Sequence, residues 1–158
     1  THHCKGCFNP ETWDFNHGKP FTRETEDYII KQLGYDFYQG LTLLGGEPME
    51  PPNQKRLLPL VRRFKETYPK KDLWCFTGYL FDEDLLGKFA KQMPETMELL
   101  KYIDILVDGE FVLEKKDVTL LFKGSSNQRT IDVQKSLKTG EIIFWNPGDT
   151  SMSKLAKI

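Results

Sequence analysis

Cysteine is scarce: the 158 residues contain three, Cys4, Cys7 and Cys75. An odd number with one tight pair argues against a disulfide framework and points to a reducing compartment, the cytoplasm. Net charge is scarce as well. Lys and Arg number 22 and Asp and Glu 23, a formal −1, so no long-range field favours nucleic acid or an anionic membrane as the main partner. No apolar run approaches the roughly 18 residues that a spanning helix needs. Internal repeats, low-complexity tracts and a signal-peptide pattern are all missing from the residues given. Residue 1 is Thr, not Met, and the natural chain is expected to extend further upstream.

What is present suits one domain with a real core. Residues 22–33, "TRETEDYIIKQL", predict a helix with Thr22 as N-cap, early acids, and Tyr28, Ile29 and Leu33 facing inward. Gly34 is its natural stop. A second helix is expected around Leu57, Leu60, Val61, Phe64 and Tyr68, starting near or bending at Pro59. Asp82 is a candidate cap for a third, which buries Leu85, Leu86 and Phe89. Strands are expected at 40–48, 72–79, 102–111 and 118–128, with a fifth at 140–145. The alternation of strand and helix implies an α/β sheet of parallel strands with right-handed crossovers, or a partial (β/α) barrel.

Strand after strand ends in Gly beside a polar residue: "GGEP", "FTGY", "VDGEF", "KGSSNQ". One such turn is ordinary punctuation. Four at the carboxyl ends of parallel strands line one mouth, where α/β folds bind ligands.

The pair Cys4-x-x-Cys7 has several readings. A zinc site needs two more ligands at similar spacing. Cys75 lies in the apolar run "LWCF" and reads as a core residue, while His2, His3 and His17 show no H-x₃₋₅-H pattern. A thioredoxin-type pair should stand between a strand and a helix start, and a long irregular loop follows instead. A third reading places one more cysteine just before Thr1. C-x-x-x-C-x-x-C on one loop holds three irons of a [4Fe–4S] cluster and leaves the fourth to another ligand.

These motifs, in this order, are similar to the radical S-adenosylmethionine (SAM) superfamily. Within it the chain resembles the family of activating enzymes of anaerobic (class III) ribonucleoside-triphosphate reductase, from Thr1 to about Val133. The tail at about 134–158 is unmatched. The resemblance implies a single radical SAM-type domain, a partial (β/α) barrel that here lacks its first strand. It also implies that a [4Fe–4S] cluster reductively cleaves SAM to a 5′-deoxyadenosyl radical, which abstracts hydrogen from a glycine of the reductase. Cys4 and Cys7 match two cluster ligands. Gly6, Cys7 and Phe8 match the loop against adenine, with Phe8 or Trp13 as apolar wall. Gly45, Gly46 and Glu47 match the turn around the methionine part, with Glu47 accepting from its ammonium. Thr77, Asp108, Ser125 and Asn127 match a polar rim. The implied partners are the reductase and a low-potential electron donor such as a flavodoxin. The segment "NPETWDFNHGKPF" is aromatic enough to contribute to docking the reductase.

Three rivals stand beside this. A pyruvate formate-lyase-type radical SAM activase would share the cluster and "GGEP", but "GSSNQ" speaks against it. A radical SAM enzyme acting on a small molecule needs substrate-binding residues that the sequence does not reveal. A zinc-binding or cluster-less partner module would hold no iron or sulfide.

Overall fold

The computed structural model describes residues 1–7 and 9–147. Four strands form one mixed sheet in the order β1 (Gly40–Leu43), β2 (Asp72–Phe76), β3 (Ile105–Asp108), β4 (Arg129–Asp132). The first three are parallel, joined by helical crossovers, and β4 runs antiparallel to β3. Gly40 opposes Asp72 so closely that a Cβ would lie 1.9 Å from the Asp72 carbonyl oxygen. Only glycine lets β1 enter this register.

The helices follow from their sequences. In α1 (Arg23–Leu33), Thr22 caps the amino end by accepting from the Thr25 N–H, and Ile30 and Leu33 are buried; Tyr28 is exposed. α2 (Pro51–Thr67) starts earlier than expected, with Pro51 and Pro52 in its first turn, and carries Pro59 inside it. A proline pair costs nothing there because the first N–H groups have no intrahelical acceptor. Phe81–Phe89 is π-helical and passes into the short α3 (Ala90–Gln92), followed by α4 (Pro94–Tyr102). Asp82 is not its cap: Leu80 holds that position, and Asp82 pairs with Arg129 instead. α5 (Val133–Thr139) occupies the first part of the unmatched tail, capped by Asp132, which accepts from the Lys135 N–H.

Side chains alternate across the sheet, as the pleat requires. Leu73, Cys75, Leu106 and Ile131 enter the main core with Val61, Phe64, Leu85 and Leu99. Trp74, Ile105 and Val107 face the other way and pack with Phe122 and Trp145. Three expectations fail here. The sheet is not wholly parallel: β4 is antiparallel, so "KGSSNQ" precedes a strand and does not end one. Residues 118–128 form no strand; they are an irregular segment with Val118 exposed, tied back by an isolated bridge from Lys116 to Ser125. The fourth strand is the polar "RTID", selected by its pairing with β3 and not by an apolar run. The fifth, at 140–145, shrinks to a single bridge between Ile131 and Phe144.

Candidate functional site

The turn after β1 holds Gly45, Gly46 and Glu47 at φ +77°, +51° and +52°. Glycine adopts this region freely, whereas for Glu47 it costs roughly 1–2 kcal/mol. The glutamate is kept there by its carboxylate. Oε1 accepts from the Met49 N–H (2.9 Å) and the Thr77 hydroxyl (2.6 Å), and Oε2 accepts from the Gly78 N–H (2.7 Å). Glu47 therefore fastens the end of β1 to the end of β2. From the first turn of α2, Asn53 Nδ2 donates to the carbonyls of Gly46 and Glu47, both at 2.9 Å. The Tyr79 hydroxyl donates to Glu50 Oε2 at 2.7 Å. Burial, then the Glu50 carboxylate, push the Tyr79 phenol far above its usual range.

At the end of β3, Asp108 is fully buried. Its carboxylate accepts from the Phe81 N–H (2.8 Å) and from Arg129 Nε (2.9 Å), and Arg129 also reaches Asp82. The bond to Asp108 first, then that to Asp82, raises the Arg129 guanidinium against the cost of burying it. Ser125 is buried and accepts from the Val112 N–H. Asn127 Nδ2 donates to the Glu110 carbonyl at 2.8 Å, and Gln128 Nε2 to the Gly109 carbonyl at 2.9 Å. The "GSSNQ" segment is thus packed onto the turn after β3.

The cysteine turn closes with the Cys7 N–H donating to the Cys4 carbonyl at 3.1 Å. Gly6 has φ +82°, and a Cβ there would lie 3.1 Å from Leu113 Cδ1. Both thiols are free and half-buried. The Asn9 N–H lies 3.4 Å from Cys7 Sγ. Burial pushes the Cys4 thiol up, and the Phe111 N–H facing it opposes that shift. Such N–H···S contacts are what iron–sulfur ligands use to tune a cluster. Cys75, by contrast, is fully buried, and burial holds its thiol well above the usual range. Phe8, expected against adenine, lies outside the described residues. Among the described residues no group of three His, Cys, Asp or Glu side chains is placed to hold a metal ion. The donor set fits a cluster that takes two of its ligands, both soft thiolates, from this turn.

The site also contains His2, Tyr79, Glu110 and Arg129, which sequence reasoning did not assign. His2 Nδ1 lies 2.6 Å from Glu110 Oε1 and Nε2 lies 3.1 Å from Glu47 Oε2. Glu47 first, then Glu110, raise the pKa of the imidazole, while burial opposes them. The signals available were the place of His2 beside the cysteines, of Tyr79 within "FTGY" and of Glu110 within "VDGEF"; Arg129 had none.

A family model described as a 4Fe-4S single cluster domain matches residues 1–131, which places the chain among iron–sulfur proteins. Similar curated proteins include one from Haemophilus influenzae, 45% identical over 130 residues (81% of this chain, 79% of the relative), and one from Salmonella typhi, 43% identical over 129 residues (80% and 79%). A protein of enterobacteria phage T4 is 40% identical over 129 residues (81% and 75%). Each is named anaerobic ribonucleoside-triphosphate reductase-activating protein. The chain belongs to this family of activating proteins. No solved structure matches it at a significant level.

Proposed function

We propose that the chain is a glycyl-radical activase acting on anaerobic ribonucleoside-triphosphate reductase. The observation that carries this is the Cys4–Cys7 turn docked beside the Gly45–Glu47 turn by way of His2, in a chain whose relatives bear that name. Cys4 and Cys7 would hold two irons of a [4Fe–4S] cluster. When bound, the cluster supplies a low-potential electron with which SAM is cleaved to methionine and a 5′-deoxyadenosyl radical, which takes a hydrogen atom from a glycine of the reductase.

The protein's own part is positioning. The backbone of Gly45 and Gly46 lies open to the amino-acid part of SAM: no heavy atom lies within 4 Å of a Cβ on Gly45, and on Gly46 the nearest is the Thr12 carbonyl oxygen at 3.8 Å. Glu47, fixed by Thr77, Gly78 and Met49, supplies the negative charge for the ammonium. Gly6 and Cys7 belong to the loop assigned to the adenine side, with Trp13, packed against His3, as the candidate apolar wall. Asp108, Ser125 and Asn127 hold the frame of the mouth. The sheet is the body of a partial (β/α) barrel, the whole chain a single domain, its setting the cytoplasm, and its electron donor a flavodoxin-like protein. No described helix is long and apolar enough to cross a membrane.

The test is anaerobic. The protein reconstituted with iron and sulfide should convert SAM to 5′-deoxyadenosine under dithionite and give a glycyl-radical signal on the reductase. Zinc retention with no iron uptake would replace this reading with the partner-module one. The reductase must also cover the mouth, because the radical cannot meet water. Phe15 is exposed and Trp13 packs against His3 at a 4.7 Å ring separation. Trp13→Ala with Phe15→Ala should therefore weaken reductase binding by about 2 kcal/mol or more, read as the dissociation constant. An unchanged constant would remove this segment from the interface.

A further inference from the structure

His2 stands where the ends of three strands meet, and nothing in the activity proposed above assigns it a task. Its Nδ1 is hydrogen-bonded to Glu110 Oε1 in the turn after β3, and its buried Nε2 lies 3.1 Å from Glu47 Oε2 in the turn after β1, a charge contact without hydrogen-bond geometry. Its ring packs edge-on against Tyr79 at 4.6 Å. Gly78 leaves the space: a Cβ there would lie 2.6 Å from the ring. The imidazole is a plug that touches one turn from each parallel strand.

The chain between this plug and the first cysteine is strained. His3 has φ +49°, a region that non-glycine residues seldom occupy. Such strain persists only where both flanks are held independently. Here they are: His2 by Glu110, Glu47 and the Tyr79 ring, and the cysteine turn by the Cys7 N–H bond to the Cys4 carbonyl and the close approach of Gly6 to Leu113. With one residue between the two anchors, the position of the Cys4 sulfur is set by where His2 is fastened.

We propose that His2 is a positioning residue which, through Glu47, sets the cysteine turn at a fixed distance from the Gly45–Glu47 turn, and so aligns cluster and SAM. The task rests on the activase reading; the coupling between the two turns does not. Glu47 is the pivot because the donors from Met49, Thr77 and Gly78 already define its plane, leaving its outer side to His2.

Three variants of the full chain test this: His2→Ala, His2→Gln, which keeps a polar group of similar reach between Glu47 and Glu110, and Gly78→Ala, which expels the ring without deleting it. Amide hydrogen exchange is read in segments 3–7 and 45–49, with Leu106 and Val107 of β3 as internal reference. His2→Ala and Gly78→Ala should speed exchange in both segments by about tenfold or more and leave β3 unchanged. His2→Gln should restore much of the protection at 45–49. In the reconstituted protein, the two disruptive variants should weaken SAM binding by about 10–100-fold, as loss of a supporting partner does, with His2→Gln between them and wild type.

Unchanged exchange at 45–49 in either disruptive variant would overturn the coupling, as would faster exchange across β3 to the same degree, which marks general loosening. Normal SAM affinity in both would overturn the alignment task. If the wild-type protein takes up iron yet binds no SAM, the activase reading and the alignment task fall together, and the exchange data decide the coupling alone.

Discussion

Replacing Cys4 and Cys7 together with Ser is expected to reduce the iron and sulfide retained after anaerobic reconstitution to the adventitious background, and 5′-deoxyadenosine formation with it. Serine is a hard, protonated ligand at neutral pH, whereas iron–sulfur clusters are held by thiolates. The third thiol serves as control. Cys75 is enclosed by the core and uncharged, with no exposed surface, so Cys75→Ala should leave iron content unchanged and lower only stability. Iron and sulfide analysis with the visible spectrum reads both variants against the wild type. Retention of a full complement by the double Ser variant would show that the cluster is held elsewhere and would sink the ligand assignment.

The second large effect concerns folding. Asp108→Ala should lower stability by about 3–5 kcal/mol, the cost of leaving one partner of a buried ion pair behind. That is a large share of a typical total of about 5–15 kcal/mol. The carboxylate has no exposure and is met by the Phe81 N–H and Arg129 Nε. Its removal orphans a backbone donor at the start of the π-helical segment and takes two of the three hydrogen bonds of the Arg129 guanidinium. Arg129→Met should cost a similar amount, and Asp108→Leu with Arg129→Met should recover much of it, since an apolar pair replaces a buried ionic one at little penalty. Urea unfolding at neutral pH measures this. A loss below about 1 kcal/mol for Asp108→Ala, the range of an exposed pair, would mean that the pair is solvated in solution.

Local signals were enough for much of the fold. Thr22 marks its helix because a hydroxyl there meets an otherwise unpaired N–H, which is decided within four residues. β1, β2 and β3 are short apolar runs closed by turns, again a local pattern. "VTLLF" carries the same pattern and forms no strand, since no neighbouring strand offers it an edge. "RTID" lacks the pattern and forms one, because Arg129 and Thr130 pair with Asp108 and Val107 from about twenty residues away. The site divides in the same way. Cysteine spacing and glycine turns are written consecutively in the chain and could be read there. The convergence of His2, Glu47, Gly78 and Glu110 depends on strand order, which no short window contains.

The span of the His2–Glu110 contact, 108 residues, also has a consequence in time. Synthesis at about 5–20 residues per second leaves roughly 5–20 s between the appearance of the cysteine turn and the appearance of the strand end that supports it. Throughout that interval the two thiols are attached to a nascent chain with no seat to dock on. On the ligand assignment proposed above, stable metallation of this turn would be a late event that waits for completion of the third strand.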